Sequence, residues 1–201
     1  MNLQNMFFAA VACVALSSAA SAQVEFGSLT LGDFAPALNI DVIKGDPVNL
    51  EDGRNKHVYI VEFWATWCGP CKYSIPHLTK LQEKYGDDGL IVIGISDEDE
   101  KTVRPYVEHM GDVMAYTVAV DRRRGTKSSY MDGFGETGIP RAYVVDVNGR
   151  VIWYGNPLKP FMDQIVETAL EDIPKDAADF VPSPAEEDET GAEAAEEGDG
   201  S

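Results

Sequence analysis

Cys68 and Cys71 stand three residues apart in the run Trp67-Cys68-Gly69-Pro70-Cys71-Lys72. Thiols at that spacing on a first helical turn lie on one face, within reach of a disulfide. Cys68 falls where a strand-like apolar run ends and a helical pattern begins. The unpaired N–H groups and positive dipole end of that helix favour its thiolate and make it the nucleophile. Cys71, one turn deeper and sheltered, is suited to attack the mixed disulfide that forms at Cys68. Pro70 fits a first turn, where a missing N–H costs nothing, and Gly69 leaves room for a partner's backbone. Two other uses of a thiol pair compete. An inert disulfide closing so short a loop would stabilise little. A tetrahedral zinc site needs four ligands, and His57, His77 and His109 lack ligand spacing to the pair. The expectation is redox exchange with no metal and no cofactor beyond the Cys68–Cys71 disulfide itself.

Such a pair needs a rigid frame. Residues 57–66, HVYIVEFWAT, are β-branched and aromatic without a turn residue, which predicts a central strand covered on both faces. Cys71 to Tyr85 places Ile75, Leu78, Leu81 and Tyr85 at helical spacing, with Gly86 as the stop signal. LIVIGIS at 90–96 predicts a second strand. The acidic run Asp97 to Glu100 favours a helix start, and that helix should reach about Met110, with Pro105 tolerated only in its first turn. YTVAVD at 116–121 predicts a third strand, and Arg122–Arg124 lead into a short helical stretch ending at Met131. Residues 141–147 and 150–154 flank Asn148-Gly149, a strong hairpin signal. A last amphipathic helix spans Pro160 to Leu170. Parallel strands with crossover helices, closed by an antiparallel hairpin, follow from this order.

Charge and the chain ends narrow the function. The sequence holds 34 acidic residues against 16 Lys and Arg, and residues 172–201 alone hold 11 acids and one base. That balance repels phosphates and excludes nucleic acid as a partner. Residues 6–22, MFFAAVACVALSSAASA, are an uncharged run closing on Ala20-Ser21-Ala22, which predicts a cleaved export leader. Its strongly apolar part is too short for the ~20 residues of a membrane span. Cys13 lies in that run as a small filler lost on processing. From about residue 175 the chain is acidic and poor in aromatics, a composition that predicts disorder.

Phe63-Trp64-Ala65-Thr66-Trp67-Cys68-Gly69-Pro70-Cys71-Lys72, followed by Pro76 and by Thr137-Gly138-Ile139-Pro140, resembles the thioredoxin superfamily. Gly32-Asp33-Phe34-Ala35-Pro36 and the added strand and helix at 97–131 are similar to its exported TlpA/ResA-like branch, related to the AhpC/TSA redoxins. The similarity covers about residues 31–171. It implies an α/β, thioredoxin-like fold: a central mixed β-sheet flanked by helices, with an N-terminal extension and an inserted strand and helix. The organisation becomes a leader at 1–22, a thioredoxin-like domain at 23–174 and an acidic tail at 175–201.

The resemblance also assigns roles. Pro140 takes the place of the family's cis-proline, whose loop faces the dithiol and lets the backbone of Ile139 pair with an extended substrate segment. Trp67 flanks the nucleophile. Glu62 stands where thioredoxins commonly carry a buried Asp that relays a proton to the inner cysteine; an acid buried inside VYIVEFW has its pKa raised. Its side chain is one methylene longer than the family's, and an ion pair with a buried Lys such as Lys101 is the structural alternative. The implied activity is an exported, periplasmic thiol–disulfide oxidoreductase, a monomer that reduces disulfides of proteins or apocytochromes and is recycled by a membrane thiol donor. Two alternatives are weighed against it. A thiol peroxidase usually sets its cysteine in Pro-x-x-x-Thr/Ser-x-x-Cys, and those places hold Val61 and Ala65. A copper-handling module would want a Cys-x-x-x-Cys pair and a distant His.

Overall fold

The computed structural model describes residues 26–175. The expected leader at 1–22 and nearly all of the acidic tail lie outside the described residues. Strands β1 (Ile40–Lys44), β2 (Val58–Trp64), β3 (Leu90–Ser96), β4 (Thr117–Asp121), β5 (Arg141–Val145) and β6 (Val151–Gly155) form one sheet in the order β1-β4-β3-β2-β5-β6. Strands β2, β3 and β4 run parallel, whereas β1, β5 and β6 pair antiparallel with their neighbours. Helices α1 (Cys71–Tyr85), α2 (Glu100–Met110) and α4 (Phe161–Glu171) are joined by a short α3 (Gly125–Lys127) that runs on into one π turn, Ser128–Asp132. The fold is the α/β, mixed-sheet arrangement expected.

Every residue of β2 is buried, because successive side chains point to opposite faces and both faces are covered. Val58, Ile60 and Trp64 join Ile75 and Leu78 of α1, Val103 of α2 and Val166 of α4 in one core. Tyr59, Val61 and Phe63 join Tyr130, Met131 and Phe134 beneath the other face. Glu62 belongs to the first set by alternation, so its carboxyl faces helix α1, which begins at Cys71.

Three details depart from expectation. Strand β1 was not anticipated: Ile40–Lys44 is a five-residue edge strand that is only half buried, so it carries little apolar pattern. Helix α2 runs through Pro105 beyond its first turn. The proline faces solvent, and the one hydrogen bond it forgoes, to the carbonyl of exposed Lys101, sits on the wet side of the helix. The three arginines form a tight 3-10 turn instead of a smooth helix start, with Arg123 and Arg124 in left-handed backbone at φ 54° and 59°. The carboxylate of Asp121 holds that turn by accepting the N–H groups of Thr126 and Lys127 at 3.0 and 2.7 Å.

The segment before β1 lies on the hairpin. Gly32 and Ala35 donate to the carbonyls of Val151 and Gly149, both at 2.8 Å, and the guanidiniums of Arg54 and Arg150 cover the ring of Phe34. Val151 returns a bond to Asp33 at 3.0 Å. This closes the β5–β6 side of the molecule.

Candidate active site

Strand β2 ends at Trp64, and the turn Ala65–Pro70 carries the chain from the sheet to α1. Cys68 and Cys71 are joined as a disulfide with their Cα atoms 5.3 Å apart. Helix α1 begins at Cys71, behind Pro70, so Cys68 sits in the turn ahead of the helix instead of on its first turn. The consequence for its sulfur survives the shift. The N–H of Cys71, one of the unpaired donors at the helix start, points at Cys68 Sγ from 3.2 Å. A donor there stabilises a thiolate on Cys68 once the disulfide opens. Cys71 is fully buried, whereas Cys68 keeps 3% of its surface. Trp67, 71% exposed, and exposed Gly69 and Pro70 surround it.

Glu62 is fully buried, and its Oε1 lies 3.0 Å from the hydroxyl of Ser74, itself fully buried on α1. Burial pushes its pKa from the ordinary 4.5 up to about 8, against a smaller downward pull from Ser74. No buried ion pair with Lys101 forms, because Lys101 is exposed on α2; among the described residues the side-chain hydrogen-bond partner of Glu62 is Ser74. Opposite Glu62 on β3 stands Gly94, where a Cβ would come within 2.9 Å of the Tyr116 ring and 3.2 Å of Trp64 Nε1. Glu62 Oε2, Trp64 Nε1 and the Tyr116 hydroxyl are all buried without a protein partner among the described residues.

The Ile139–Pro140 peptide bond is cis, Pro140 is buried, and Ile139 packs against the core that contains both cysteines. Arg141 pairs with Phe63 of β2, so this loop lies at the same end of the sheet as Cys68. An ion pair spans the loop: Arg141 donates to Glu136 at 2.7 Å, both partners being about three-quarters buried.

Glu98 is the positioning residue that sequence reasoning missed. Its carboxylate accepts the N–H and the hydroxyl of Thr66, each at 2.7 Å, and the hydroxyl of Ser96 at 3.1 Å. The acidic run had suggested only a helix start, although the Thr placed two residues before Cys68 offers two donors to any nearby acid. Ser74 was missed as well; only its period on α1, one turn past Cys71, marks it. His77, given no role from sequence, links α1 to α4 through Asp163 at 3.0 Å.

The profile of the AhpC/TSA family matches residues 31–154. The thiol-disulfide oxidoreductase ResA of Bacillus thuringiensis is 28% identical over 125 residues, which cover 62% of this chain and 68% of that protein. The thioredoxin-like protein YneN of Bacillus subtilis is 29% identical over 139 residues, 66% of this chain and 76% of its own. Among solved structures, a thiol:disulfide interchange protein of the thioredoxin family from Chlorobium tepidum superposes with a TM-score of 0.57 at 29% identity. That match covers 70% of this chain and 98% of the other.

Proposed function

The chain belongs to the AhpC/TSA family, and from that premise we propose that it is an exported thiol–disulfide oxidoreductase that reduces disulfides in protein clients, apocytochromes among them, through Cys68 and Cys71. The observation that carries the reading is the disulfide just past the end of β2, whose Cys68 lies between exposed Trp67 and exposed Gly69 while Cys71 is fully enclosed. Oxidoreductase activity agrees with the names of ResA and of the Chlorobium tepidum protein.

In the reduced protein the thiolate of Cys68, held by the Cys71 N–H, attacks one sulfur of the client disulfide, and the other leaves as a thiolate that takes a proton from water. Trp67, Gly69, Pro70 and the backbone of Ile139 beside Pro140 form the surface on which the client segment lies. Cys71 then gives its proton to Glu62 in those molecules where the carboxyl is ionised, and attacks Cys68 Sγ. The second client sulfur leaves, two electrons have passed to the client, and the Cys68–Cys71 disulfide is restored. Direct attack between sulfurs gives this cycle no step that calls for a metal or other cofactor. A membrane thiol donor returns the two electrons, and the leader at 1–22 delivers the chain, as a monomer, to the periplasm.

Insulin-disulfide reduction by the purified protein tests this reading, with Cys71→Ser used to trap clients. Activity independent of Cys68 would exclude it.

A further inference from the structure

Ser74 stands between the acid and the inner cysteine. Its Oγ is 3.0 Å from Glu62 Oε1 and 3.1 Å from the carbonyl oxygen of Cys71, and all three residues are fully buried. A hydroxyl has one proton to give. Both contacts can be hydrogen bonds only when Glu62 is neutral: its O–H donates to Ser74 Oγ, and Ser74 donates onward to the Cys71 carbonyl. When Glu62 is ionised, it can only accept. The Ser74 proton then turns to Oε1, and the Cys71 carbonyl loses that donor.

We propose that Ser74 is a positioning residue whose single hydroxyl proton couples the charge of Glu62 to the backbone of Cys71. The proposal rests on the reading above in which Glu62 takes the Cys71 proton. In that step Cys71–SH and Glu62–COO⁻ become Cys71–S⁻ and Glu62–COOH. As the carboxyl turns neutral, the Ser74 hydroxyl swings to the Cys71 carbonyl and holds the turn from which the new thiolate attacks Cys68 Sγ.

The other groups around Glu62 do not supply this link. Gly94 of β3 and Ala142 of β5, its neighbours in the sheet, carry no polar side chain. Tyr116, just before β4, is held neutral by burial and by the Glu62 charge, and Tyr106 of α2 packs on Trp64. On the α1 side stands Ser74, and the two cysteines belong to the core on that same face of the sheet. Among the described residues no cation shifts Glu62.

The oxidised full-length protein allows a direct test, because its cysteines do not titrate. Above pH 6 ordinary carboxyls are ionised, so the infrared carboxyl stretch of a protonated buried acid stands alone; its loss in Glu62→Gln assigns it. The band should titrate near pH 8 in the wild type. In Ser74→Ala it should titrate about one unit higher, the worth of one hydrogen bond to a charged acceptor, and Ser74→Thr should restore the original midpoint. Resolution of the mixed disulfide should follow the same order in its pH profile. A folded Ser74→Ala protein with the wild-type midpoint would overturn the role of Ser74 and leave Glu62 standing. A wild-type Glu62 that titrates below pH 6 would be too weak a base to take the Cys71 proton, and would remove the premise and the inference together.

Discussion

Glu98 grips Thr66 twice, by its N–H and by its hydroxyl, at a point two residues before Cys68. The loop that presents the nucleophile is thus tied to the end of β3 through a charged acceptor. Glu98→Ala should cost about 1 to 3 kcal/mol, the range for leaving sheltered donors unpaired, and should slow insulin reduction. Glu98→Gln keeps one acceptor oxygen and should lie between. Thermal melts and initial rates of the three proteins check this; equal rates would make the grip irrelevant to exchange.

The order of attack follows from the Cys71 N–H aimed at Cys68 Sγ. Cys68→Ser should abolish disulfide exchange, whereas Cys71→Ser should accumulate mixed disulfides that dithiothreitol releases. Alkylation of the reduced protein at pH 7 should label Cys68 first. Faster labelling of Cys71 would reverse the assignment.

Stability should record the burial of Glu62. Its folded pKa, about 8, lies above the ordinary 4.5. Between these values the folded chain keeps a proton that the unfolded chain releases. Wild-type stability should therefore be full below about pH 4.5, fall as pH rises towards 8 and level off above it. Glu62→Gln should lack this fall, gaining on the order of 4 kcal/mol over the wild type between pH 4.5 and pH 9. Urea unfolding of the oxidised proteins at the two ends of the range measures the difference. Parallel pH curves for both proteins would refute it.

Gly69 and Pro70 place no charge or imidazole beside Cys68, and Lys72 is exposed. The dithiol should therefore sit near thioredoxin on the redox scale, at about −250 mV, rather than near the strongly oxidising DsbA. Equilibration with glutathione buffers, followed by thiol alkylation, gives the value. A potential above about −180 mV would make the protein an oxidant or isomerase.

Much of this was legible because apolar periodicity is strong where elements are fully buried. Strands β2 and β3 and helix α1 could be placed from VYIVEFW, LIVIGIS and the spacing of Ile75, Leu78 and Leu81, and Asn148-Gly149 marked the hairpin. Strand β1 was not legible, since an edge strand with Asp41 and Lys44 in five residues has no clear alternation. The left-handed pair Arg123–Arg124 was hidden because the side chain of Asp121, reaching from the end of β4, imposes that turn. At the site, the thiols announced themselves by type and spacing, and Glu62 was marked by the resemblance that sets it where thioredoxins carry a buried Asp. Ser74 and Glu98 did not, because hydroxyls and acids are common and only the fold brings them to Cys71 and Thr66.

The strand order has a temporal meaning as well. Central strand β2 is flanked on one side by β5, whose Arg141 pairs with Phe63 and whose Ala142 pairs with Glu62. Val144 of β5 and Val166 of α4 complete the core that encloses both cysteines. A chain emerging from its N-terminus therefore releases Cys68 and Cys71 long before the partners that bury them exist. Pairings so distant along the chain close late. Until residues up to α4 have arrived, the two thiols are as open to stray oxidants as any unfolded cysteine, and the selectivity for Cys68 over Cys71 is acquired only when the sheet is complete.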